Sequence, residues 1–239
     1  MLIAGAGGHA IELLGIIQQR KNIEPDEIEP GDIELDEIER VEIEPVGIER
    51  GEIEPLAFFD DVTADLPEKM FGIYPILRTF EQAKAFLKNY PAFVLGIGEP
   101  KGRKIICDKL CSLGGKLTSA ISPAATIGEH EVYLGDGLNI MTGAVITERV
   151  HIGKGTLVHV HASIHHDTVI GEYCEISPGS RILGRAKIGS FVSIGANAVI
   201  LPRVRVSDHV TIGAGAVVTR DVLADTTVAG VPAKPMIKR

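Results

Sequence analysis

The chain has 239 residues, of which 45% are hydrophobic and 23% charged, enough to bury the core of one large or two modest domains. Residues 23–55 carry 14 acidic and two basic side chains, a net of −12, so the rest of the chain carries +4 out of the total of −8. That excess is too small for a nucleic-acid-binding surface but suits small anionic ligands such as nucleotides.

Three cysteines at no metal-ligand spacing exclude a disulfide framework and favour a reducing compartment. We expect neither a signal sequence nor a membrane span, because glycines interrupt the first apolar run and no stretch approaches about 18 apolar residues. The sequence therefore predicts a cytoplasmic protein without membrane or nucleic acid as a partner.

The first element is a strand, a glycine-rich turn and a helix. The apolar run 1–4 is followed by GAGGHA at 5–10 and by a stretch with helical apolar spacing to residue 17. A turn without side chains at Gly7 and Gly8 lets backbone N–H groups at the helix start approach a diphosphate, with His9 beside it. A nicotinamide cofactor and a tight turn with no ligand are the alternatives.

Seven acidic pentads of the type EIEPG follow, within an insertion at about residues 22–56. An isoleucine every five residues does not keep to one face of a helix or strand, and the recurring prolines break both. The insertion is predicted to be a solvated acidic loop. A short pentapeptide solenoid or a partner-binding arm is the alternative.

Strands and helices then alternate, with strands predicted at 56–61 and 92–98 and helices at 79–88 and 101–113. This order favours a small parallel α/β domain, Rossmann-like, that binds ligands at the carboxyl ends of its strands. Asp60 and Asp61 end the second strand, where they can accept hydrogen bonds from ribose or sugar hydroxyls. The predicted domain covers residues 1–115.

A second repeat occupies residues 116–239. Every sixth position from Leu134 to Val218 is Leu, Ile or Val, and a small or β-branched residue follows four positions later in nearly every repeat. A period of six fits short strands on the faces of a triangular prism, with the recurring Ile or Val inside, and predicts a parallel β-helix. We expect five glycines to provide the backbone angles of its corners. These are Gly153, Gly171, Gly189, Gly195 and Gly213.

Four histidines lie close together in VHVHASIHHDT at 158–168. The repeat places His166 on the outer face, where a neutral imidazole oriented by Asp167 can act as a base, although a surface histidine without a catalytic role fits the same spacing. His161 and His166 have a spacing found in trimeric zinc carbonic anhydrases, but a third ligand is missing. Cys174 is predicted to be a buried core thiol rather than a nucleophile.

In combination, these segments resemble the bacterial sugar acyltransferases of the left-handed β-helix class. The similarity is to the sialic-acid O-acetyltransferase family, which includes UDP-amino-sugar N-acetyltransferases of bacillosamine pathways. The motifs that carry it are GAGGHA, FFDD, LGIGEPKGRK, SPAATIG, IHHDTVIGEYCEISPG, IGANAVILP and AGVPAKP.

The resemblance implies a homotrimer that uses acetyl-CoA, without a metal, to acetylate a precursor of a surface glycan such as lipopolysaccharide. By position it implies that His166 is the general base, paired with Asp167, in direct transfer to a sugar or nucleotide-sugar acceptor. It assigns acceptor binding to Gly7, Gly8, His9, Asp60 and Asp61. It assigns coenzyme A binding to Glu175, Gly195, Gly213, Ala214 and Lys234.

Two positions depart from the family pattern. Glu175 stands where the family often has His or Asn near the acetyl group, and His165 stands before the base where Glu is common. The resemblance favours N-acetylation of a UDP-4-amino sugar, with O-acetylation of a sialic-acid-like sugar as the close alternative, and the sequence does not separate an amine from a hydroxyl acceptor. A zinc hydratase and a non-catalytic sugar-binding scaffold are the alternatives from other classes.

Overall fold

The structure, a computed structural model, describes residues 1–21 and 55–236, and of residues 20 and 21 only the backbone. The acidic pentads at 22–54 lie outside the described residues, so the predicted loop there stays a prediction. Within the described part, an α/β region is followed by a parallel β-helix, and the predicted fold class is confirmed.

The N-terminal sheet has the strand order β3-β4-β2-β1-β5-β6. Its strands are β1 Leu2–Ala4, β2 Ala57–Phe59, β3 Lys69–Met70, β4 Tyr74–Leu77, β5 Ala92–Leu95 and β6 Lys116–Leu117. All neighbours pair in parallel except β3, which forms an antiparallel hairpin with β4 that the sequence analysis did not predict. Because β6 belongs to this sheet, the sheet extends two residues beyond the predicted boundary at 115.

In the part of the chain that the structure describes, three helices follow strands of this sheet: α1 Gly8–Lys21, α2 Phe80–Asn89 and α3 Pro100–Ser112. Side-chain caps fix two of the starts. Thr79 and Gln82 form a capping box at α2, and the Glu99 carboxylate accepts from the backbone N–H groups of Lys101 and Gly102 at α3. The predicted bounds of α2 and α3 are therefore correct to within one residue.

The β-helix is built from two-residue strands that stack into three parallel sheets. The strands are β7 Ala120–Ile121, β8 Thr126–Ile127, β9 Tyr133–Leu134, β10 Asn139–Ile140, β11 Val145–Ile146, β12 His151–Ile152, β13 Leu157–Val158, β14 Ser163–Ile164, β15 Val169–Ile170, β16 Glu175–Ile176, β17 Arg181–Ile182, β18 Lys187–Ile188, β19 Ser193–Ile194, β20 Val199–Ile200, β21 Arg205–Val206, β22 Thr211–Ile212, β23 Val217–Val218 and β24 Thr227–Ala229. From β9 to β20 each strand pairs with the strand 18 residues later, as Ile146 does with Ile164, so three hexads make one coil. The first coil is one residue longer and the last two residues shorter.

The hexad residues fill the interior as predicted. From Ile140 to Val218 every sixth side chain is at most 3% exposed, and Leu134 packs against the same core from its open end. Each such side chain contributes about 1.5–3 kcal/mol by leaving water. The solenoid ends with β25 Lys234–Pro235, which is antiparallel to β24.

The corners differ from the prediction. A residue with φ between 50° and 70° recurs every six positions from Glu131 to Gly215, and most of these residues are not glycine. The five glycines predicted to supply corner angles are not among them. They are needed for stacking instead, because a Cβ on Gly153 would lie 2.6 Å from a backbone atom of Gly171, and one on Gly195 2.5 Å from the Ala214 nitrogen.

The two regions share a hydrophobic core along helix α1. Leu13, Ile16 and Ile17 of α1 pack in one buried cluster with Met141 and Leu157 on the outer face of the β-helix. This packing fixes the start of α1 against the solenoid. Within the described residues, no helix is long and apolar enough to cross a membrane.

Candidate active site

A cleft opens at the carboxyl ends of β1, β2 and β5. Strand β1 lies between the other two, and later strands are added on both sides of it, so the cleft is at a topological switch point of the sheet. We call it the strand-end cleft, and its volume is about 330 Å³. The five predicted acceptor-binding residues all line it, as do backbone segments 5–9, 59–63 and 96–98. Those five are Gly7, Gly8, His9, Asp60 and Asp61.

The glycines of the first turn have different reasons to be glycine. Gly5 has φ 121° and a Cβ there would lie 2.7 Å from the Gly96 carbonyl oxygen, so packing requires it. A Cβ on Gly7 or Gly8 would meet nothing within 4 Å. Packing therefore does not explain these two glycines, whereas open backbone N–H groups at the start of α1 suit an anionic ligand.

The two aspartates at the end of β2 are not equivalent. Asp60 accepts hydrogen bonds from the backbone N–H groups of Val62 and Thr63, at 3.0 and 2.9 Å, and from the Thr63 hydroxyl. Burial raises the pKa of Asp60, but these donors outweigh it and hold the pKa below its ordinary value. Asp60 thus organises the loop, and the exposed Asp61 carboxylate is left to face a ligand.

His9 is a buried, neutral imidazole. Burial, then the nearby Arg103 and His159, lower its pKa to about 3. The Asn139 amide nitrogen donates to the Leu95 carbonyl at 2.5 Å and lies 3.1 Å from His9 Nε2. Because that nitrogen is a donor, Nε2 accepts and Nδ1 carries the proton.

Within the described residues, one group of side chains could hold a metal ion. Ligand atoms of His9, Glu12 and His159 lie within 4.8 Å of one another. His9 Nδ1 lies 3.7 Å from Glu12 Oε2 and carries the proton, so in this tautomer it is not free to ligate a metal. We therefore assign no metal to this group. The pair considered from the sequence, His161 and His166, is not part of it.

A second cleft runs along the β-helix, and we call it the solenoid cleft. Its volume is about 470 Å³, and Glu99 and Lys101 at the start of α3 form one wall. Its floor is a row of side chains on one sheet, one per coil: Glu175, Ser193, Thr211 and Thr227. Phe191, His209 and Asp225 form the opposite side.

Of the residues predicted to bind coenzyme A, Glu175 lines the solenoid cleft. Gly195 and Gly213 follow the floor residues Ser193 and Thr211 by two positions but serve the stacking of coils. Ala214 and Lys234 are exposed and line neither cleft. Their assignment to coenzyme A stays a prediction.

The predicted base and its partner form a hydrogen-bonded pair. His166 Nδ1 lies 2.7 Å from Asp167 Oδ2, and Arg149 Nε lies 2.8 Å from Oδ1 of the same carboxylate. The hydrogen bond from His166 lowers the pKa of Asp167, and Arg149 and Arg185 lower it further. A Cβ at Gly184 would lie 2.6 Å from His166 Nε2, so glycine in the next coil leaves room for the ring.

This pair is solvent-facing and lies in neither cleft of its own chain. The His166 side chain is 55% exposed, and Asp167 sits at a corner with φ 60°. The neighbouring His165 is the other imidazole that could serve as the base, and the paired carboxylate favours His166. Cys174 is fully buried, as predicted, and burial raises its pKa to about 12, so it is not a nucleophile.

Sequence reasoning missed three residues that organise the site: Arg103, Asn139 and His159. Arg103 is fully buried and donates to the carbonyls of Gly155, at 2.6 and 2.8 Å, and Ile97, at 2.7 Å. It thereby ties the strand-end cleft to the solenoid. Asn139 lies two coils, or 36 residues, before Glu175 on the same sheet, and that spacing was the signal available in the sequence.

Comparison with known proteins identifies the repeat. The bacterial transferase hexapeptide family (six repeats) matches residues 149–184 and 185–220. The chain is 31% identical over 130 residues to the GDP-perosamine N-acetyltransferase of Escherichia coli O157:H7. That match covers 54% of this chain and 56% of the relative, so the alignment spans little more than half of either protein.

Solved structures match over nearly the whole chain. The acetyltransferase domain of PglB from Neisseria gonorrhoeae, also solved with acetyl coenzyme A, is 25% identical with a TM-score of 0.78, covering 98% of both chains. A mutant perosamine N-acetyltransferase from Caulobacter crescentus, in complex with CoA and GDP-perosamine, shares the fold at 24% identity and a TM-score of 0.79, covering 99% of this chain and 96% of that one. The resemblance to bacterial sugar acetyltransferases is confirmed, and the predicted acyltransferase class and acetyl-CoA co-substrate agree with these relatives.

Proposed function

We propose that this chain, which has the hexapeptide repeats of bacterial transferases and the fold of sugar acetyltransferases, is an acetyl-CoA-dependent N-acetyltransferase of a nucleotide-linked 4-amino sugar. The observation that carries the proposal is the His166–Asp167 pair at 2.7 Å on a chain with an open, glycine-lined strand-end cleft. The pair supplies a base, and the cleft supplies a site for a diphosphate.

The reaction we propose is direct transfer. The acceptor nitrogen attacks the thioester carbonyl, His166 Nε2 takes the proton that the nitrogen loses, and the thiolate of coenzyme A leaves. Asp167 accepts from His166 Nδ1, which keeps Nε2 free as the acceptor and stabilises the imidazolium once formed. The left-handed corner at Asp167 brings its carboxylate back against the preceding ring.

Since His166 lies outside both clefts of its own chain, we propose that it acts on acceptor held by a neighbouring copy. Tyr133, Val145 and Val169 on the outer faces of the β-helix are 59%, 37% and 43% exposed, and burying them supports the predicted homotrimer. The E. coli relative is named for a GDP-linked sugar, whereas the sequence analysis favoured a UDP-linked one. Both nucleotides therefore belong in the test.

The test is release of coenzyme A thiol from acetyl-CoA with UDP- and GDP-linked 4-amino sugars and free nonulosonic acids as acceptors. We expect turnover with an amino sugar and a loss of about 10²- to 10⁴-fold in kcat for His166→Ala. His165→Ala is the matched control, because it removes the adjacent imidazole that has no carboxylate partner within the described residues, and it should stay within a few-fold of wild type.

Other outcomes reassign the function. Turnover only with nonulosonic acids would replace N-acetylation by O-acetylation. A larger loss in His165→Ala than in His166→Ala would move the base by one residue. Absence of thiol release with every acceptor would contradict the enzyme and leave a sugar-binding scaffold.

A further inference from the structure

The strand-end cleft and the solenoid cleft meet at one carboxylate. Glu175 lines the solenoid cleft, and its Oε1 lies 3.5 Å from the position of a Cβ on Gly98, which lines the strand-end cleft. On the other side, Glu175 Oε1 lies 3.7 Å from His159 Nε2. The His159 ring in turn is 5.3 Å from the ring of His9 in the strand-end cleft. Glu175 thus stands in the wall between the two clefts.

The Glu175 carboxylate has unused hydrogen-bonding capacity. Its side chain is 26% exposed, and its one polar contact within the described residues is the one with His159. Glu99, the other carboxylate near this junction, accepts from two backbone N–H groups at the start of α3. An ionised carboxylate only accepts hydrogen bonds, so the ligand group that meets Glu175 must be a donor.

The surroundings place a positive charge near this carboxylate and contact it from one side. The buried Arg103 guanidinium attracts the Glu175 carboxylate electrostatically. Its N–H groups donate to backbone carbonyls, so it adds a nearby positive charge and leaves the acceptor positions of the carboxylate open. His159, whose side chain is 13% exposed, contacts Glu175 from the side of His9. A fixed negative charge at the meeting point of two clefts favours a cationic donor.

We propose that Glu175 binds the amino group of the acceptor sugar in its ammonium form, with His159 as a positioning residue, and so selects amino over hydroxyl acceptors. This inference rests on the proposed function and names the feature of the acceptor that is recognised. An aliphatic ammonium is attracted to a carboxylate by its full positive charge in addition to its hydrogen bond, whereas a neutral hydroxyl offers the hydrogen bond alone. The ammonium first releases one proton to solvent and becomes the nucleophilic amine, and His166 takes the second proton, which the nitrogen loses as it attacks.

The experiment measures binding without acetyl-CoA, by calorimetry, of GDP-perosamine and of GDP-rhamnose, which has a hydroxyl in place of the amino group at C4. A UDP-linked 4-amino sugar and its 4-hydroxy counterpart form the second pair of probes. The variants are Glu175→Gln, which keeps the shape and removes the charge, and Glu172→Gln, which removes an exposed charge in the same coil.

We expect Glu175→Gln to weaken binding of the amino sugar about tenfold and to change binding of the hydroxyl sugar less than about threefold. Glu172→Gln should change neither. His159→Gln should weaken amino-sugar binding alone, and combining it with Glu175→Gln should add nothing, since His159 acts through Glu175.

Equal losses for both sugars in Glu175→Gln, or no loss for either, would overturn the inference. It fails separately from the proposed function. Thiol release that depends on His166, without selectivity from Glu175, retains the enzyme and rejects this inference. Selective binding that depends on Glu175, without thiol release, retains the role of Glu175 and rejects the proposed enzyme. Absence of binding by every probe rejects both the role of Glu175 and the proposed function.

Discussion

Two of the imidazole–carboxylate pairs within the described residues lie in regions that are built in different ways. His166 and Asp167 are neighbours in sequence at a corner of the β-helix, 2.7 Å apart and solvent-facing. His159 and Glu175 come from successive coils, lie 3.7 Å apart, and are enclosed where the α/β region packs on the solenoid. The first pair is local, whereas the second depends on the position of another domain.

This difference separates two tasks. The corner pair has a full hydrogen bond, and two arginines hold its carboxylate ionised, which suits proton transfer at the surface of one copy. The junction pair has no hydrogen bond between its members and faces two clefts, which suits recognition. Changes at the domain contact should therefore affect the junction pair and leave the corner pair intact.

The largest expected effect comes from Arg103→Met, which removes buried hydrogen bonds between the two domains. It should disturb the junction pair and leave the corner pair intact. The Gly155 and Ile97 carbonyls lose their buried donors, and an unsatisfied buried group costs about 1–3 kcal/mol, so we expect a loss of about 2–4 kcal/mol in the free energy of unfolding. Hydrogen exchange should rise in peptides covering residues 92–98 and 155, but not in residues 163–170. Denaturant unfolding and exchange by mass spectrometry measure both.

Lys104→Met is the control, because it changes the adjacent, exposed residue of the same helix and removes a surface ion pair with Asp108. We expect it to stay within about 1 kcal/mol of wild type. If hydrogen exchange in Arg103→Met rises uniformly throughout the β-helix, the two regions unfold as one unit. The corner pair would then not be independent of the contact between the domains.

Asp167→Asn tests the role of the carboxylate charge in the corner pair. Asparagine tolerates the left-handed φ of 60° that alanine does not, so the fold is kept while the charge beside His166 is lost. We expect kcat to fall about 10- to 100-fold with little change in acceptor affinity, because the imidazolium loses its partner. Glu175→Gln should show the opposite division, a weaker acceptor affinity with a smaller change in kcat.

The contrast also explains what the sequence could predict. Fifteen hexad residues specify the β-helix interior, and the same period places His166 outward with Asp167 next to it, so the corner pair follows from local sequence. The glycines were predicted for the wrong reason, since Gly195 is required by its approach to Ala214 and the corner angles fall largely to other residues such as Asp167.

The junction pair was not predictable in this way. It depends on helix α1 burying Ile16 and Ile17 against Leu157, and on Arg103 reaching Gly155 some 50 residues away. These contacts join the α/β region to the β-helix, and neither the helical spacing of α1 nor the hexad period specifies the angle at which the two regions pack. Glu175 was therefore assigned to coenzyme A by resemblance and noted as a departure from the family pattern, and its place at the junction was not predicted.

The smallest expected effect is a pH dependence of stability at the junction, from His9. Its pKa of about 3 in the folded chain lies below the ordinary value of 6.5, so below about pH 6.5 the unfolded chain binds a proton that the folded chain does not. This favours unfolding as the pH falls, and the loss grows until about pH 3. At pH 5 it amounts to about 2 kcal/mol.

His9→Gln removes this titration, so the difference in unfolding free energy between pH 7 and pH 5 should shrink by about 2 kcal/mol relative to wild type in denaturant titrations. His130→Gln, which changes an exposed histidine in the first coils, should leave the difference as it is. An unchanged difference in His9→Gln would mean that His9 takes up its proton without unfolding. The junction would then open to water locally, and the enclosure that distinguishes it from the corner pair would be lost.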